Sequence, residues 1–429
     1  MQDQVGDAGR SRIGGRSRTA AAFCALLASG LLAACGSTTH GTTSPNPTSG
    51  SAQSTGSKAA TSGAPILIGL ANNEGQAISI PEYRYGAEAA VKYLNANGGV
   101  NGHALQLVEC VDDGSPEGAV NCANKFVASH AVAYVAGIDV GADSALPIID
   151  GAGIPYVSEF AWGPTTMTDT NSFLFGAGLL PFYIAPIQEL KALGVTKAAY
   201  FFDNIPTGSA FLPAAQNLSR AAGITLVPVP LNASNPDWTS AVATAQAGHV
   251  NGMWGIMQEG DCTNMVRAAR SAGFTGPIGA GSCSNYISTL GAQAANTLGD
   301  WPYYFPSVAA DAPTTAQAQL KTYQAAMVAD GHAGAVQGFA GASFATMVEL
   351  SEVMKAISGP VTATGLKTAL QHADVPGFTG PNINCAARAI PSEPASCNAE
   401  TLQYKVVASG SGAKQTLLTP NFVNSASIG

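Results

Sequence analysis

Charge is what this 429-residue sequence has least of: Asp, Glu, Lys and Arg make up 11% of it, with 19 basic against 27 acidic residues. Nucleic-acid binding needs clustered Lys and Arg, and beyond Arg10, Arg12, Arg16 and Arg18 there is no such cluster, so no nucleic-acid partner is expected. There is no C-x-x-C pair and no His at ligand spacing beside a Cys, which argues against zinc. The six His residues (His40, His103, His130, His249, His332, His372) are scattered, and no H-E-x-x-H, G-x-S-x-G or G-x-x-x-x-G-K-[ST] string occurs. The chain therefore offers no enzyme signature, and neither a cofactor nor a metal is expected. Long apolar runs are also missing. The longest, Thr19 to Ala34, falls short of the roughly 20 residues that a membrane-spanning helix needs.

That run has a different meaning. It follows four arginines and ends in Leu32-Ala33-Ala34-Cys35, the order of an export signal: basic, apolar, then a small-residue cleavage site. Leu-Ala-Ala-Cys resembles the bacterial lipobox, which implies removal of residues 1–34 and diacylation of the Cys35 thiol as the new N-terminus. Residues 35–64 are almost wholly Ser, Thr, Gly, Pro, Ala and Asn. Such a stretch cannot bury enough apolar surface to order itself, and it is expected to be a flexible tether. Six cysteines follow, Cys110, Cys122, Cys262, Cys283, Cys385 and Cys397. In an exported chain an even count suggests disulfides. The sequence-local pairing is Cys110–Cys122, Cys262–Cys283 and Cys385–Cys397, one of fifteen connectivities; buried free thiols are the alternative.

From Pro65 onward, short apolar runs alternate with segments of helical spacing. Ile66 to Ala71, Leu105 to Val111, Val132 to Ile138 and Ile154 to Val157 read as strands; Tyr83 to Asn95, Ser115 to His130 and Ser144 to Ala152 read as helices. A second series follows, with strands at Lys197 to Phe202, Thr225 to Val229, Gly252 to Met257 and Ile278 to Ala280. Met327 to Ala356 reads as mainly helical, and the tail from Gly377 as turn-rich β. Two βαβ series imply an α/β protein of two doubly wound, Rossmann-like lobes with mostly parallel sheets. Ligands of such sheets bind beyond the carboxyl ends of the strands. That rule selects Asn72 to Ser79, Asp139 to Ser144 and Ser158 to Trp162 in the first series, and Asp203 to Thr207, Gln258 to Asp261 and Gly281 to Asn285 in the second.

Several strings in this order resemble the leucine/isoleucine/valine-binding protein family. They are Ile68-Gly69, Gly86-Ala87-Glu88-Ala89-Ala90-Val91, Asn95-Ala96-Asn97-Gly98-Gly99-Val100-Asn101-Gly102, Gly153-Ile154-Pro155-Tyr156-Val157-Ser158, Asp237-Trp238 and Phe378-Thr379-Gly380-Pro381. The resemblance implies a type I periplasmic-binding-protein fold with three hinge crossings, placed near Phe175–Gly178, Trp301–Phe305 and Asp374–Gly377. The first lobe is then 65–177 with 304–375, and the second 178–303 with 376–429. It further implies a monomeric solute-binding lipoprotein, lipid-anchored at the outer face of the cytoplasmic membrane, serving an ABC permease.

The same resemblance places ligand contacts at Asp139, Val140, Phe160 and Trp162 in the first lobe and at Thr207, Glu259 and Ser282 in the second, and the strand-end loops add Asn73, Glu74, Ser79, Ser158 and Asp203. Asp139 stands where the family has hydroxyl donors, and its like charge would repel a carboxylate. Flat faces from Phe160, Trp162 and Trp301 beside the acceptors Asp139, Glu259 and Glu74 suit a cation, amide, polyol or nucleoside-like solute better than a free acid, within a class of small polar or amphipathic, amino-acid-like solutes. Trp162 is the leading contact, whereas Trp238 and Trp254 read as core and Trp301 as hinge packing. The rivals are a receptor-like sensor reporting to a membrane partner and an exported enzyme on the same scaffold.

Overall fold

The computed structural model describes residues 61–75, 79–161, 163–204, 209, 211–257 and 259–428. Cys35, the signal and nearly all of the tether lie outside these, as do Trp162 and Thr207. Among the described residues no helix is long and apolar enough to cross a membrane.

Strands β1 (Ile66–Asn73), β2 (Leu105–Asp112), β3 (Tyr134–Ala136), β4 (Tyr156–Ser158) and β5 (Ser172–Ala177) alternate with helices at Pro81–Ala96, Pro116–Ala128, Leu146–Gly151 and Pro164–Thr168. They lie in the order β2-β1-β3-β4-β5, all parallel. β1, β3, β4 and β5 are buried on both sides, as strands of a parallel sheet covered by helices are, while the edge strand β2 keeps exposed residues such as Gln106 and Glu109. The second series gives β6 (Lys197–Asp203), β7 (Thr225–Leu231), β8 (Gly252–Gly255), β9 (Ile278–Gly279) and β10 (Thr297–Trp301), ordered β7-β6-β8-β9-β10. Helices Leu179–Ala192, Leu212–Ala221, Trp238–Ala247 and Glu259–Ser271 belong to it. Trp254 is fully buried against Tyr200 and Trp238 is 7% exposed, so both are core, as their positions in a strand and at a helix start imply.

Met327 to Ala356 is not one helix. Helices Thr314–Ala329 and Phe339–Lys355 flank a turn containing Gly331 and Gly338, both at positive φ. The second packs on Pro81–Ala96 at close range: a Cβ on Gly86 would lie 2.2 Å from the Ala340 carbonyl oxygen. Glycine is what allows this approach, which fixes where Phe339 stands.

Gly178 separates β5 from the helix of the second sheet, and residues 302–305 lead back, with the Tyr303 hydroxyl donating to Glu159 beside β4. The third passage differs from the expected one at Asp374–Gly377. Strands β11 (Asp374–Val375) and β12 (Ile383–Asn384) pair with each other, and β13 (Ser396–Asn398) joins the first sheet alongside β5. The chain changes sheet only at Ala399, entering β14 (Glu400–Ser409), which runs antiparallel to β10 and continues to β15 (Gly412–Leu417) and β16 (Val423–Asn424). The turn at Phe378 misleads because it stays on the first sheet's helices. Its N–H donates to buried Glu349 and its ring packs on Phe344.

All three sequence-local disulfides are formed, Cys110–Cys122, Cys262–Cys283 and Cys385–Cys397. The first ties β2 to the helix after it, and the second ties helix Glu259–Ser271 to the loop after β9. The third holds residues 385–397 on the first sheet.

Candidate functional site

Where the carboxyl ends of the two sheets meet, a cavity of about 140 Å³ remains. Phe160, Ala161 and Phe339 line it from the first side, Ile256, Met257, Gly281 and Ser282 from the second, and Leu179, Phe182 and Trp301 beside the passages between the sheets. Four aromatic rings gather there. Phe160 sits 5.5 Å from Phe182, 5.7 Å from Trp301 and 6.1 Å from Phe339, and Trp301 lies 5.4 Å from Phe339, all ring centroid to centroid. The tilted and edge-on angles, 50° to 79°, are the arrangements that aromatic quadrupoles favour. Ser282 is the one polar side chain among the described lining residues. The site can grip a flat or branched apolar body and orient it through a hydroxyl and backbone polar groups.

Phe160 is held from beneath. The neighbouring Glu159 carboxylate is fully buried and accepts from the Tyr303 hydroxyl and, at 2.7 Å, from Thr346. Burial pushes its pKa up to about 8, with those two hydrogen bonds opposing the rise. An acid inside an apolar run, Val157-Ser158-Glu159-Phe160, is the sequence signal for this residue.

The structure brings together Phe160 and Ser282 from the expected set and sends most of the others elsewhere. Asn73 is buried, donates to Asp112 and accepts from the Val140 N–H at 3.1 Å, so it stitches loops together. Glu74 pairs with Arg84 at 2.8 Å. Burial raises its pKa, but hydrogen bonds from Arg84 and Asn72 outweigh that and hold it below the usual range. Ser79 is exposed opposite Glu74 in a local bridge, and Val140 is 42% exposed. Asp139 is fully buried, accepts from Tyr134 at 2.6 Å, and burial pushes its pKa up to about 7. Ser158 donates to the Ala136 carbonyl and accepts from the Phe160 N–H, both at 3.3 Å. Asp203 is exposed, and Glu259 caps helix Asn285–Leu290 by accepting from the N–H groups of Ser284 and Asn285. These polar residues serve their own loops and do not line the cavity. Trp301, read from the sequence as hinge packing with a ligand face as the alternative, is a wall of it. Phe182 and Phe339 were missed because helical spacing makes such residues read as core.

With that geometry in place, comparison with known proteins is direct. The family profile described as periplasmic binding protein matches residues 71–395. The chain belongs to the periplasmic binding protein family. The Leu/Ile/Val-binding protein of Escherichia coli K12 is 27% identical to this chain over 236 residues, which is 50% of this chain and 60% of that one. The leucine-specific-binding protein of Salmonella typhimurium is 28% identical over the same shares. The chain thus spans about 60% of the length of the curated relatives it matches. Among solved structures, a leucine-, isoleucine-, valine-, threonine- and alanine-binding protein from Brucella ovis in its closed conformation superposes with TM-score 0.71 at 18% identity, covering 85% of this chain and 97% of that one. A branched-chain amino acid transporter substrate-binding protein from Streptococcus pneumoniae, solved with isoleucine, gives 0.65 at 17% identity, covering 83% and 100%. These neighbours establish the type I fold of this binding protein, and with the profile they bear out the resemblance to the leucine/isoleucine/valine-binding family.

Proposed function

We propose that the chain is an extracytoplasmic solute-binding lipoprotein that closes on a small amphipathic solute and delivers it to an ABC permease. The observation carrying this reading is the seam itself: Phe160, Phe182, Trp301 and Phe339 converge with Ser282 where the carboxyl ends of two parallel sheets face each other. Relatives named for branched-chain amino acids support an amino-acid-like solute, and the four rings favour one with an aromatic or branched side chain. The expected repulsion of a carboxylate by Asp139 has no support in the geometry, because that group is buried beneath Tyr134 and lines no part of the cavity. Lipid attachment rests on the Leu-Ala-Ala-Cys35 string, outside the described residues.

Thermal melts with pools of aromatic and branched amino acids, their amides and nucleosides test the proposal. A solute at a hundred times its Kd stabilises the folded clamp by about 2.7 kcal/mol. The melting temperature is expected to rise with at least one pool, and Phe339→Ala is expected to weaken that solute roughly tenfold, about 1.4 kcal/mol. A melting temperature unmoved by every pool rules the binding reading out.

A further inference from the structure

A second and larger chamber, about 350 Å³, adjoins the aromatic cavity, and Ser282 and Trp301 line both. Its character is different. Ser282, Ser284, Asn285, Ser288, Gln337 and Gln415 supply neutral hydrogen-bonding groups, against walls of Trp301, Phe305 and Tyr404. Lys414 is the single charged side chain of the lining, and it is exposed.

Three polar side chains of the lining carry no protein partner. The Ser282 hydroxyl and the amides of Asn285 and Gln337 are exposed and have no hydrogen-bond partner among the described residues, so water solvates them, whereas Ser284 donates to Glu259 and Ser288 to the Asn285 carbonyl. Exposed polar groups around a recess can exchange their water for the hydrogen-bonding edges of a solute. Neutral amides and hydroxyls set against aromatic faces match hydroxyl- or amide-rich groups, which present both hydrogen-bonding edges and C–H faces.

The two spaces share backbone as well as walls. Gln337 faces the chamber and Phe339 the aromatic cavity, with Gly338 between them at φ +66° and ψ −131°. Only glycine adopts that conformation readily, and it turns the chain so that neighbours on one strand of backbone serve both spaces. Gln337 belongs to the first sheet's side and Asn285 and Gln415 to the second's, so an occupant of the chamber would bridge the halves. Together the two volumes fall in the range of roughly 300–1,000 Å³ usual for small-molecule sites.

We infer that the cleft is bipartite and takes a two-part solute: a flat apolar part against Phe160 and Phe339, joined to a neutral hydroxyl- or amide-rich part held by Ser282, Asn285 and Gln337. This inference rests on the solute-binding reading and names the solute class it admits.

Titration calorimetry on the mature chain tests it with two composite probes, adenosine and phenyl β-glucoside, beside the fragments adenine, phenol, ribose and glucose, and leucine and phenylalanine. Asn285→Leu and Gln337→Leu remove the chamber's amides at similar volume. The expected result is that a composite probe binds at least tenfold more tightly than either of its fragments, and that each substitution weakens it five- to tenfold while the melting temperature without solute stays put. Leucine or phenylalanine binding more tightly than both composites, with affinity indifferent to Asn285→Leu and Gln337→Leu, overturns the bipartite site and leaves the binding function standing. Binding of none of the probes overturns both.

Discussion

At the scale of single residues, the chain carries a store of buried acid. Asp139, Glu159 and Asp300 are fully buried, and burial pushes their pKa values up to about 7, 8 and 8. A carboxyl whose pKa is raised on folding holds its proton longer in the native state than in the unfolded one. Its contribution to stability is complete below the unfolded value near 4 and is lost as pH rises through the folded value. The melting temperature should therefore fall between pH 5 and pH 8. Asp139→Asn keeps an acceptor for the Tyr134 hydroxyl while removing the titration, so its melting temperature should fall less steeply over that interval. Calorimetric scans of both proteins at half-unit pH steps check this; parallel curves would show that Asp139 titrates normally. The same residues show what the sequence could and could not reveal. Of the six loops that the carboxyl-end rule selects, two, those of Phe160 and Ser282, reach the cavity. Polar side chains at strand ends, however, satisfy their own backbone as readily as a ligand, and no spacing distinguishes Asn73 on Asp112 from Asn73 in a cleft.

At the scale of elements, the second disulfide is placed to matter most for binding. Cys283 follows Ser282 directly and is bonded to Cys262 in the helix Glu259–Ser271, so the loop that reaches the cavity is pinned covalently. Replacing both by Ala is expected to lower stability by about 2–4 kcal/mol and to weaken solute binding as well. The Cys110–Cys122 double variant should lose similar stability and keep its affinity, since that bridge ties β2 to its own helix away from the cavity. Denaturant melts paired with calorimetry separate the two. Local pairing of the cysteines was readable because each pair joins neighbouring elements. The passage between sheets at Ala399 was not, because a turn of Phe, Thr, Gly and Pro looks the same whether or not the chain then changes sheet.

At the scale of the whole molecule, two sheets are joined by three short passages, and if the chain closes on a solute as proposed, these passages are where it bends. If Cys35 carries the lipid, Cys35→Ser expressed in the native host should move the protein from the membrane fraction to the soluble fraction, while the purified domain keeps its melting temperature. Recovery in the membrane fraction at the original level would mean that something other than Cys35 holds it there.

The joint at Ala399 has a further implication for how this chain can vary. A single residue stands between a strand that is parallel to β5 and one that is antiparallel to β10, with Asn398 bonded to the Phe175 carbonyl and Leu402 in register with Trp301. Side chains alternate along a strand, so one added residue would either strip Ser396–Asn398 from its neighbour or exchange apolar Leu402 and Tyr404 with buried Thr401 and Gln403, whose partners Ser425 and Gln188 lie on the other face. Chain length at this point is fixed to the residue, and insertions that exposed turns such as Ser409–Gly412 could absorb would here uncouple one half of the protein from the other.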